Sequence, residues 1–298
     1  MSVFQPGNTA VITGGASGIG LSLAAKCVAV GMNVLVADSD VDALAAAPAV
    51  VKKLSRGGSG TLSTVAVDVA KASDWASLKA AVDSTLAGKV NLLVLNAGVG
   101  GASAWSDTDA FRRILDVNLW GVVNGIATLL PVVQATAAED KPASIVITGS
   151  KQGITNPPGT SPAYNASKAA VRSLAEQLSF DLASKSKTPG GSPTVHLLVP
   201  GWTFTGLTGD STLKQHGDKE EEKPAKPEGA WWPEQVVDYL VDAMAANKFY
   251  IICPDNDVTE DADRKRVLWS AGDIAEGRAP LSRWRPEYKE DVNAWMAK

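Results

Sequence analysis

Tyr164 and Lys168 are the residues whose types and spacing point most directly to chemistry. They stand four apart in the stretch YNASK, in an alanine-rich segment that begins with Ser-Pro and has the pattern of a helix. One helical turn separates them, so both side chains lie on the same face. A cation one turn from a phenol lowers the phenol's pKa towards neutrality, which suits general acid–base catalysis. The alternative is an ordinary helix surface, because Tyr-x-x-x-Lys alone is a common pattern.

Ser150 supplies a hydroxyl that can act with this pair. It ends the run IVITGS, at the carboxyl edge where ligands bind in open α/β sheets. The helix that carries Tyr164 starts near residue 162, so its first turn can return to that edge. The serine would then hydrogen-bond a substrate oxygen while the tyrosine moves a proton and a bound cofactor moves a hydride.

A glycine-rich turn, TGGASGIG, lies between the first strand-like run and a helical pattern. Glycines let the backbone turn tightly and approach a pyrophosphate, and the start of a helix offers N–H groups and the positive end of its dipole. A merely structural turn is the alternative, but the strand before and the helix after are the context that a dinucleotide loop needs. We therefore predict dinucleotide contacts from Gly14, Ser17, Gly18, Ile19 and Gly20.

Asp38, at the end of the second strand-like run, indicates which dinucleotide binds. A carboxylate there can accept hydrogen bonds from ribose hydroxyls and repels a 2′-phosphate. No Arg or Lys stands at residues 15–17 or 39 to receive such a phosphate, so the sequence favours NAD over NADP. A turn-forming acid is the alternative. Asp68, after the third run, is a candidate for the edge of the adenine ring or a simple strand-end cap.

Short apolar runs alternate with alanine-rich helical segments along most of the chain. The runs are apolar throughout, as in strands that are buried on both faces of a parallel sheet. The alternation predicts an α/β, doubly wound (Rossmann) fold with a seven-stranded parallel sheet flanked by helices. Strands are expected at 9–13, 33–38, 63–69, 91–98, 143–150, 194–201 and 248–254, and helices at 17–30, 41–54, 73–87, 108–138 and 162–184.

Two segments depart from this alternation. Residues 206–230 are polar, charged and rich in Pro and Gly, which predicts a surface excursion on the substrate side. Residues 256–298 carry aromatic residues such as Trp269 and Trp295 among many charges and show no strand pattern. We expect one domain over residues 1–255 and a C-terminal extension that packs on the domain or on a partner subunit.

The bulk composition narrows the classes of function. The 298 residues are 45% hydrophobic with a net charge of −4, and the pI is about 5.3, which argues against binding to nucleic acid or to anionic membranes. The N-terminus lacks a secretory pattern, and no apolar run approaches the roughly 18 residues that span a bilayer. Cys27 and Cys253 stand in apolar contexts, and we expect them buried and reduced, as in a cytoplasmic protein.

The two histidines and the possible metal ligands do not indicate a functional site. His196 lies within a strand and is expected in the core, and His216 lies in the charged excursion and is expected in solvent. We find neither metal-ligand spacing nor an acid–His–Ser arrangement, so we predict no metal.

The motifs together resemble those of the short-chain dehydrogenase/reductase family, in its compact single-domain branch. The resemblance implies that Ser150, Tyr164 and Lys168 form a catalytic triad, and that Asn118 completes it through a water that relays protons from Lys168. The matching stretches, in the family's order over residues 8–255, are TGGASGIG (13–20), DV (68–69), NAG (96–98), VNLWG (117–121), Ser150, YNASK (164–168) and PGWTFT (200–205).

The resemblance also implies further cofactor contacts. Lys168 would bind the nicotinamide ribose. The nicotinamide carboxamide would contact the Thr203 backbone and the Thr205 hydroxyl, in the segment after Pro200 and Gly201. With the glycine loop and Asp38, the predicted cofactor residues are then Asp68, Val69, Asn96, Ala97, Gly98, Tyr164, Lys168, Pro200, Gly201, Thr203 and Thr205, and Asn96, Ala97 and Gly98 line the adenosine side.

The substrate pocket should form from residues after the fourth, fifth and sixth strands. Ser150 and Tyr164 would contact the reacting oxygen. Trp202, with Phe204, predicts either an apolar pocket wall or core packing. Lys151, next to Ser150, is expected to face solvent. The candidates that line the pocket are Val99, Trp105, Gln152, Thr155 and Trp202.

Family members usually dimerise through the helices after the fourth and fifth strands, and many form tetramers through the last strand. We expect a homodimer here, with a homotetramer as the alternative. The leading hypothesis is an NAD-dependent oxidoreductase that interconverts a secondary alcohol and a ketone. A non-catalytic NAD(H)-binding sensor is an alternative, although a sensor needs no Ser-Tyr-Lys set. An NAD-assisted epimerase or dehydratase is another, although the chain lacks the large substrate domain of such relatives.

Overall fold

Within the residues that the computed structural model describes, seven parallel strands form one twisted sheet. Those residues are 2–139, 141–185, 191–208, 226–255 and 257–298. The strand order is β3-β2-β1-β4-β5-β6-β7. The strands are β1 (Thr9–Thr13), β2 (Asn33–Asp38), β3 (Thr61–Ala66), β4 (Leu92–Leu95), β5 (Ser144–Thr148), β6 (Thr194–Val199) and β7 (Tyr250–Ile252).

Helices cover both faces of the sheet. On one face Trp75, Leu129 and Val171 join a core with the inward residues of β4 and β5. On the other, Leu23, Leu44 and Leu240 pack on β1 and β2. The predicted doubly wound fold is therefore confirmed. The helices are α1 (Gly18–Ala29), α2 (Val41–Leu54), α3 (Ala72–Thr85), α4 (Thr108–Leu115), α5 (Gly121–Ala138), α6 (Gln152–Thr155), α7 (Pro162–Lys185), α8 (Pro233–Ala245), α9 (Glu260–Ala275) and α10 (Lys289–Ala297).

The central strands behave as their composition indicates, and the edge strands do not. β1, β4 and β5 are buried at every residue. β3 is only half-buried, and it ends at Ala66 instead of residue 69, because its register with β2 runs from Thr61 to Ala66 at the edge of the sheet. At the other edge, β7 spans three residues instead of the seven at 248–254. The expectation of strands buried on both faces is therefore wrong for β3.

The long helix expected at 108–138 is continuous, but a π-helical turn, Asp116–Trp120, separates α4 from α5. By length and composition, Thr108–Ala138 is apolar enough to cross a membrane, contrary to our expectation that no run of the chain approaches this. A core helix meets the same criterion, and α5 packs against α3 and β4. π-helical turns frequently mark functional sites, and this one contains Asn118.

The C-terminal extension is helical and packs on the sheet domain. Trp269 of α9 is buried, and its ring meets Trp295 of α10 edge to face at 6.0 Å. α9 contacts the short helix α6, which follows Ser150. Helices α6 and α8 were not predicted. Residues 209–225 of the charged excursion, with His216, lie outside the described residues.

Candidate active site

The candidate site lies where strand ends meet at one edge of the sheet. The glycine loop follows β1, Asn96 follows β4, Ser150 follows β5 and Pro200 follows β6. β1 pairs with β2 on one side and with β4 on the other. The chain therefore runs outward in opposite directions from β1 and β4, and in open α/β sheets ligands bind in the crevice at such a point.

The glycine loop brings backbone segments into contact. Gly14 has a φ of +62°, and a Cβ there would lie 2.7 Å from the Ala97 Cα. A Cβ at Gly20 would lie 2.2 Å from the Gly14 carbonyl oxygen. Only glycine fits these positions, and the loop leads directly into the N-terminus of α1, which suits a pyrophosphate. The loop positions that remain at least partly exposed include Ser17, Gly18 and Ile19.

Asp38 is held against this loop. Its Oδ2 accepts a hydrogen bond from the Ala16 N–H at 3.0 Å, and its Oδ1 accepts one from the Asp40 N–H at 3.1 Å. These contacts fix a carboxylate beside the glycine loop, where the sequence places the ribose contact. The residues therefore fit the adenosine half of a dinucleotide.

Asp68 and Val69 make contacts local to the turn after β3. Asp68 Oδ1 accepts from the Ala70 N–H at 3.1 Å, and the carboxylate pairs with Lys71 at 3.4 Å. The Val69 carbonyl accepts from the Trp75 indole at 3.0 Å. The strand-end role of Asp68 is thus visible in the structure, and its contact with adenine stays a prediction.

Asn96 connects the ends of three strands. Its Nδ2 donates to the carbonyls of Thr13 and Gly14 at 3.3 and 3.2 Å, and its Oδ1 accepts from the Thr148 hydroxyl at 3.2 Å. The side chain therefore fixes the wall of the crevice. Gly98, two residues on, lies beside the candidate catalytic groups, since a Cβ there would be 3.6 Å from Lys168 Nζ.

Ser150, Tyr164 and Lys168 form one cluster where α7 meets the end of β5. Lys168 is buried, and its Nζ donates to the Thr148 carbonyl at 2.8 Å and lies 5.7 Å from the centre of the Tyr164 ring. The Tyr164 hydroxyl shares a hydrogen bond with the Ser150 side chain. The structure thus brings together the three residues that the sequence selected.

The pKa of Tyr164 is shifted in the direction opposite to the one predicted from the sequence. Burial raises the pKa of Tyr164 above its ordinary value, and the hydrogen bond with Ser150 opposes that rise. Burial also lowers the pKa of Lys168 to about 8. The prediction that Lys168 lowers the pKa of Tyr164 is therefore wrong for this structure, because the ammonium is directed at the Thr148 carbonyl and burial disfavours its charge.

Asn118 holds the loop after β4 through its side chain. Its Oδ1 accepts from the Val99 N–H at 2.8 Å, and its Nδ2 donates to the Val99 carbonyl at 3.0 Å and to Ser167 Oγ at 3.1 Å. The residue is 1% exposed. These bonds occupy the amide, so the side chain acts as a fixed link between the π-helical turn, the loop and α7.

Comparison with known proteins identifies the family. The family described as short chain dehydrogenase matches residues 8–216. The chain belongs to the short-chain dehydrogenases. A 2-dehydro-3-deoxy-L-rhamnonate dehydrogenase (NAD(+)) from Sphingomonas sp. (strain SKA58) is 36% identical over 193 residues, which cover 62% of this chain and 71% of that protein. An NADP-dependent (R)-specific alcohol dehydrogenase from Lentilactobacillus kefiri is 33% identical over 208 residues, covering 68% and 76%.

Solved structures agree in fold. A short chain dehydrogenase/reductase from Burkholderia phymatum, crystallised in complex with NAD, superposes with a TM-score of 0.77 at 30% identity, over 94% of this chain and 98% of that chain. That alignment extends well beyond residue 216 of this short-chain dehydrogenase, so much of the C-terminal part also has a counterpart.

In this short-chain dehydrogenase, residues 200–205 run alongside residue Trp231. Trp231 N–H donates to the Trp202 carbonyl and its carbonyl accepts from Phe204 N–H, both at 2.8 Å. Thr203 and Thr205 are buried. A Cβ at Gly18 would lie 3.2 Å from Thr205 Cγ2, so this segment meets the glycine loop. Thr205 thus lies beside the glycine loop, and the cofactor contacts of Pro200, Gly201, Thr203 and Thr205 stay predictions.

The predicted substrate residues lie at the surface of the site. Trp202 is 49% exposed, which excludes the core alternative for it. Trp105 is 83% exposed and its ring lies 6.1 Å from that of Phe111. Gln152 contacts the catalytic cluster directly, since its N–H donates to Ser150 Oγ at 3.2 Å. Val99 and Thr155 are half-buried.

The prediction that Lys151 faces solvent is wrong. Its side chain is 16% exposed, and Nζ lies 3.1 Å from Asp255 Oδ2 and 2.6 Å from Asp263 Oδ2. Neither acid was singled out from the sequence. Asp255 follows the last parallel strand, so the strand-end position that indicated Ser150 could also have indicated Asp255. Asp263 lies within α9, and no feature of the nearby sequence indicates that it pairs with Lys151.

Buried groups elsewhere match their sequence contexts. Cys27 and Cys253 are free and buried, and burial raises the pKa of each thiol to about 12. His196 is buried, with Nδ1 2.8 Å from the Lys248 carbonyl oxygen. Within the described part of the chain, no three His, Cys, Asp or Glu side chains are grouped to hold a metal ion.

Proposed function

We propose that this short-chain dehydrogenase is an NAD-dependent oxidoreductase that interconverts a secondary alcohol and a ketone. The observation that carries the proposal is the cluster of Ser150, Tyr164 and Lys168 at the end of β5. The cluster lies at the same edge of the sheet as the glycine loop, in which only glycine fits at residues 14 and 20. A proton-transfer group and a dinucleotide loop at one edge are the two parts that hydride-transfer chemistry requires.

The preference for NAD rests on Asp38. Its carboxylate is fixed beside the glycine loop by the N–H groups of Ala16 and Asp40, so a 2′-phosphate there would face a negative charge. The NAD(+)-named relative and the NAD-bound neighbour support this preference, and the NADP-dependent relative shows that both cofactors occur among similar proteins.

Each member of the cluster has a separate task. Tyr164 donates a proton to the substrate oxygen in reduction, and it accepts a proton from the alcohol in oxidation. Ser150 shares its hydrogen bond with the phenol and orients the substrate oxygen towards it. Lys168 binds the nicotinamide ribose and, while protonated, places a positive charge 5.7 Å from the centre of the Tyr164 ring. When bound, NADH would supply the hydride in reduction and NAD would accept it in oxidation.

An apolar carbonyl compound is the substrate class that fits the surface of the site. Trp202, Leu207 and Trp105 are each at least 49% exposed, and Leu207 lies against Gly100 of the loop after β4. Burying these side chains against a substrate would add about 25 cal/mol for each Å² of apolar surface removed from water. A ketone with bulky apolar substituents is therefore favoured over a small polar one.

A homodimer is the assembly we propose. Trp120, in the π-helical turn, is 54% exposed and Phe180, on α7, is 74% exposed. Both lie on the helices that we expect to form the dimer contact. Sedimentation should give twice the mass of the 31.0 kDa chain, and Phe180→Glu should shift it towards the monomer. A mass of four chains would instead support the tetramer.

The direct test is oxidation of NADH at 340 nm with a panel of apolar ketones, with NADPH as the alternative cofactor. We expect turnover with NADH that falls at least about 100-fold in Ser150→Ala. Ser84→Ala, at an exposed position of α3, is the matched control and should match wild type. Tight NADH binding without turnover on any ketone would contradict the proposal and favour a non-catalytic NAD(H) sensor.

A further inference from the structure

A buried cluster of charges joins the C-terminal extension to the residue after Ser150. We call it the Lys151 cluster: Lys151, Asp255 and Asp263. The three side chains are 16%, 15% and 7% exposed, and Lys151 Nζ lies between the two carboxylates at 3.1 and 2.6 Å. Another ion pair that involves α9, Arg278 with Asp273, is about equally buried. The Lys151 cluster is set apart by its place directly after Ser150.

Each member belongs to a different part of the site's surroundings. Lys151 follows Ser150 directly, and its N–H donates to the Pro200 carbonyl at 3.4 Å. Asp255 follows β7, and its carboxylate lies against Gly201 in the segment after β6. Asp263 lies in the first turn of α9, which packs on α6. The cluster therefore links the Ser150 loop, the segment after β6 and the extension.

The space around the cluster leaves little freedom. A Cβ at Gly201 would lie 1.7 Å from Asp255 Oδ1, so the carboxylate is pressed against the backbone of that segment. An ammonium and carboxylates with so little solvent hold one arrangement, because separating them would leave a buried charge without a partner. Ser150 is then restrained from both sides, by β5 before it and by the Lys151 cluster after it.

We propose that Lys151 is a positioning residue, through which Asp255 and the C-terminal helix α9 fix the Ser150 hydroxyl and the segment after β6 for the reaction. This inference rests on the proposed function for its activity readout. It gives the extension a task within its own subunit. A displacement of about 1 Å in a reacting group is enough to reduce a rate about 100-fold.

The test compares Lys151→Met, Asp263→Asn and Lys151→Arg with a control, Lys265→Met, on the same helix as Asp263. Lys265 pairs with Asp261 and donates to the Met296 carbonyl at 3.2 Å, so its loss weakens the extension without touching the Ser150 loop. We expect kcat to fall about tenfold or more in Lys151→Met and Asp263→Asn. The Kd for NADH should stay within about twofold of wild type, and Lys151→Arg should recover most of the activity.

A Ser150→Ala background separates positioning from general destabilisation. If Lys151 acts through the serine hydroxyl, Lys151→Met should lower the residual kcat of Ser150→Ala by less than about twofold, since interacting residues give non-additive effects. The same tenfold loss in both backgrounds, or an equal loss in Lys265→Met, would overturn the proposal.

Hydrogen exchange provides a readout that needs no substrate. In Lys151→Met the amides of residues 149–155 should exchange about fivefold faster or more than in wild type, and in Lys265→Met they should not change. Unchanged exchange in Lys151→Met would refute the restraint even if the enzyme turned over. Conversely, altered exchange with no turnover on any ketone would keep the Lys151 cluster and reject the proposed function.

Discussion

Replacing Asn118 with alanine tests the way in which the π-helical turn supports the site. The change removes the side-chain bonds to the Val99 N–H, the Val99 carbonyl and Ser167 Oγ, at 2.8, 3.0 and 3.1 Å. Each such bond contributes about 0.5–1.5 kcal/mol net. Because the site is buried and the Val99 backbone loses its partner, we expect Asn118→Ala to lower the free energy of unfolding by about 2–4 kcal/mol.

The corresponding change in melting temperature follows from the size of the chain. Unfolding entropy near 60 °C is about 2.1 cal/mol/K per residue, which for 298 residues gives about 0.6 kcal/mol/K. A loss of about 3 kcal/mol then lowers Tm by about 5 °C. Differential scanning calorimetry with matched urea unfolding measures both quantities.

Asn124→Ala is the matched control for this experiment. Asn124 lies on the same helical segment and makes a 3.4 Å bond to the Val69 carbonyl, so its loss should cost less than about 1 kcal/mol. If Asn118→Ala melts within about 1 °C of wild type and yet loses its activity, the side chain acts only in the chemistry. The role of Asn118 as a structural link between the π-helical turn and the loop after β4 would then be refuted.

Three further results are expected. In ketone reduction, kcat/KM should be constant below about pH 7 and fall above about pH 8. Lys168, with a pKa of about 8, loses its charge there, while Tyr164, with its pKa raised, keeps its proton. A pH profile of kcat/KM that is flat to pH 10 would contradict this expectation. Gly20→Ala should weaken NADH binding at least about tenfold in a fluorescence titration, because its Cβ would lie 2.2 Å from the Gly14 carbonyl oxygen, and unchanged affinity would show that the loop can adapt. Asp38→Ser should move the ratio of kcat/KM values about tenfold towards NADPH, and an unchanged ratio would remove the basis for the NAD preference.

The parts of the fold that the sequence predicts are those that depend on local pattern. Strands such as β1 and β5 are apolar at nearly every position because both faces are covered, and β-branched runs indicate that burial. β3 carries Thr and Ser as well, and where it ends depends on its register with β2, a tertiary property. Helix α8 has Pro233 at its start and buries Val236, Val237 and Leu240 at helical spacing, so its sequence did carry a signal that our prediction overlooked. Helix α6 is too short for periodicity to reveal.

The candidate site divides in the same way. Tyr164, Lys168 and Ser150 could be predicted from the sequence, because spacing on a helix and position at a strand end fix where their side chains lie. The shift in the pKa of Tyr164 could not be predicted, because it depends on how deeply α7 is buried. Asp263 was hidden because its partner lies more than a hundred residues earlier in the chain, and only the packing of α9 on α6 brings it to Lys151.

The most direct test of the central claim is Tyr164→Phe assayed for NADH oxidation with a ketone that wild type reduces. The phenylalanine keeps the ring and removes the hydroxyl that shares a hydrogen bond with Ser150. Tyr250→Phe, at a half-exposed tyrosine on the edge strand β7, is the matched control. We predict that kcat falls at least about 100-fold while the Kd for NADH stays within about twofold of wild type. Tyr164→Phe that keeps more than about a tenth of wild-type turnover would contradict the assignment of Tyr164 as the proton donor.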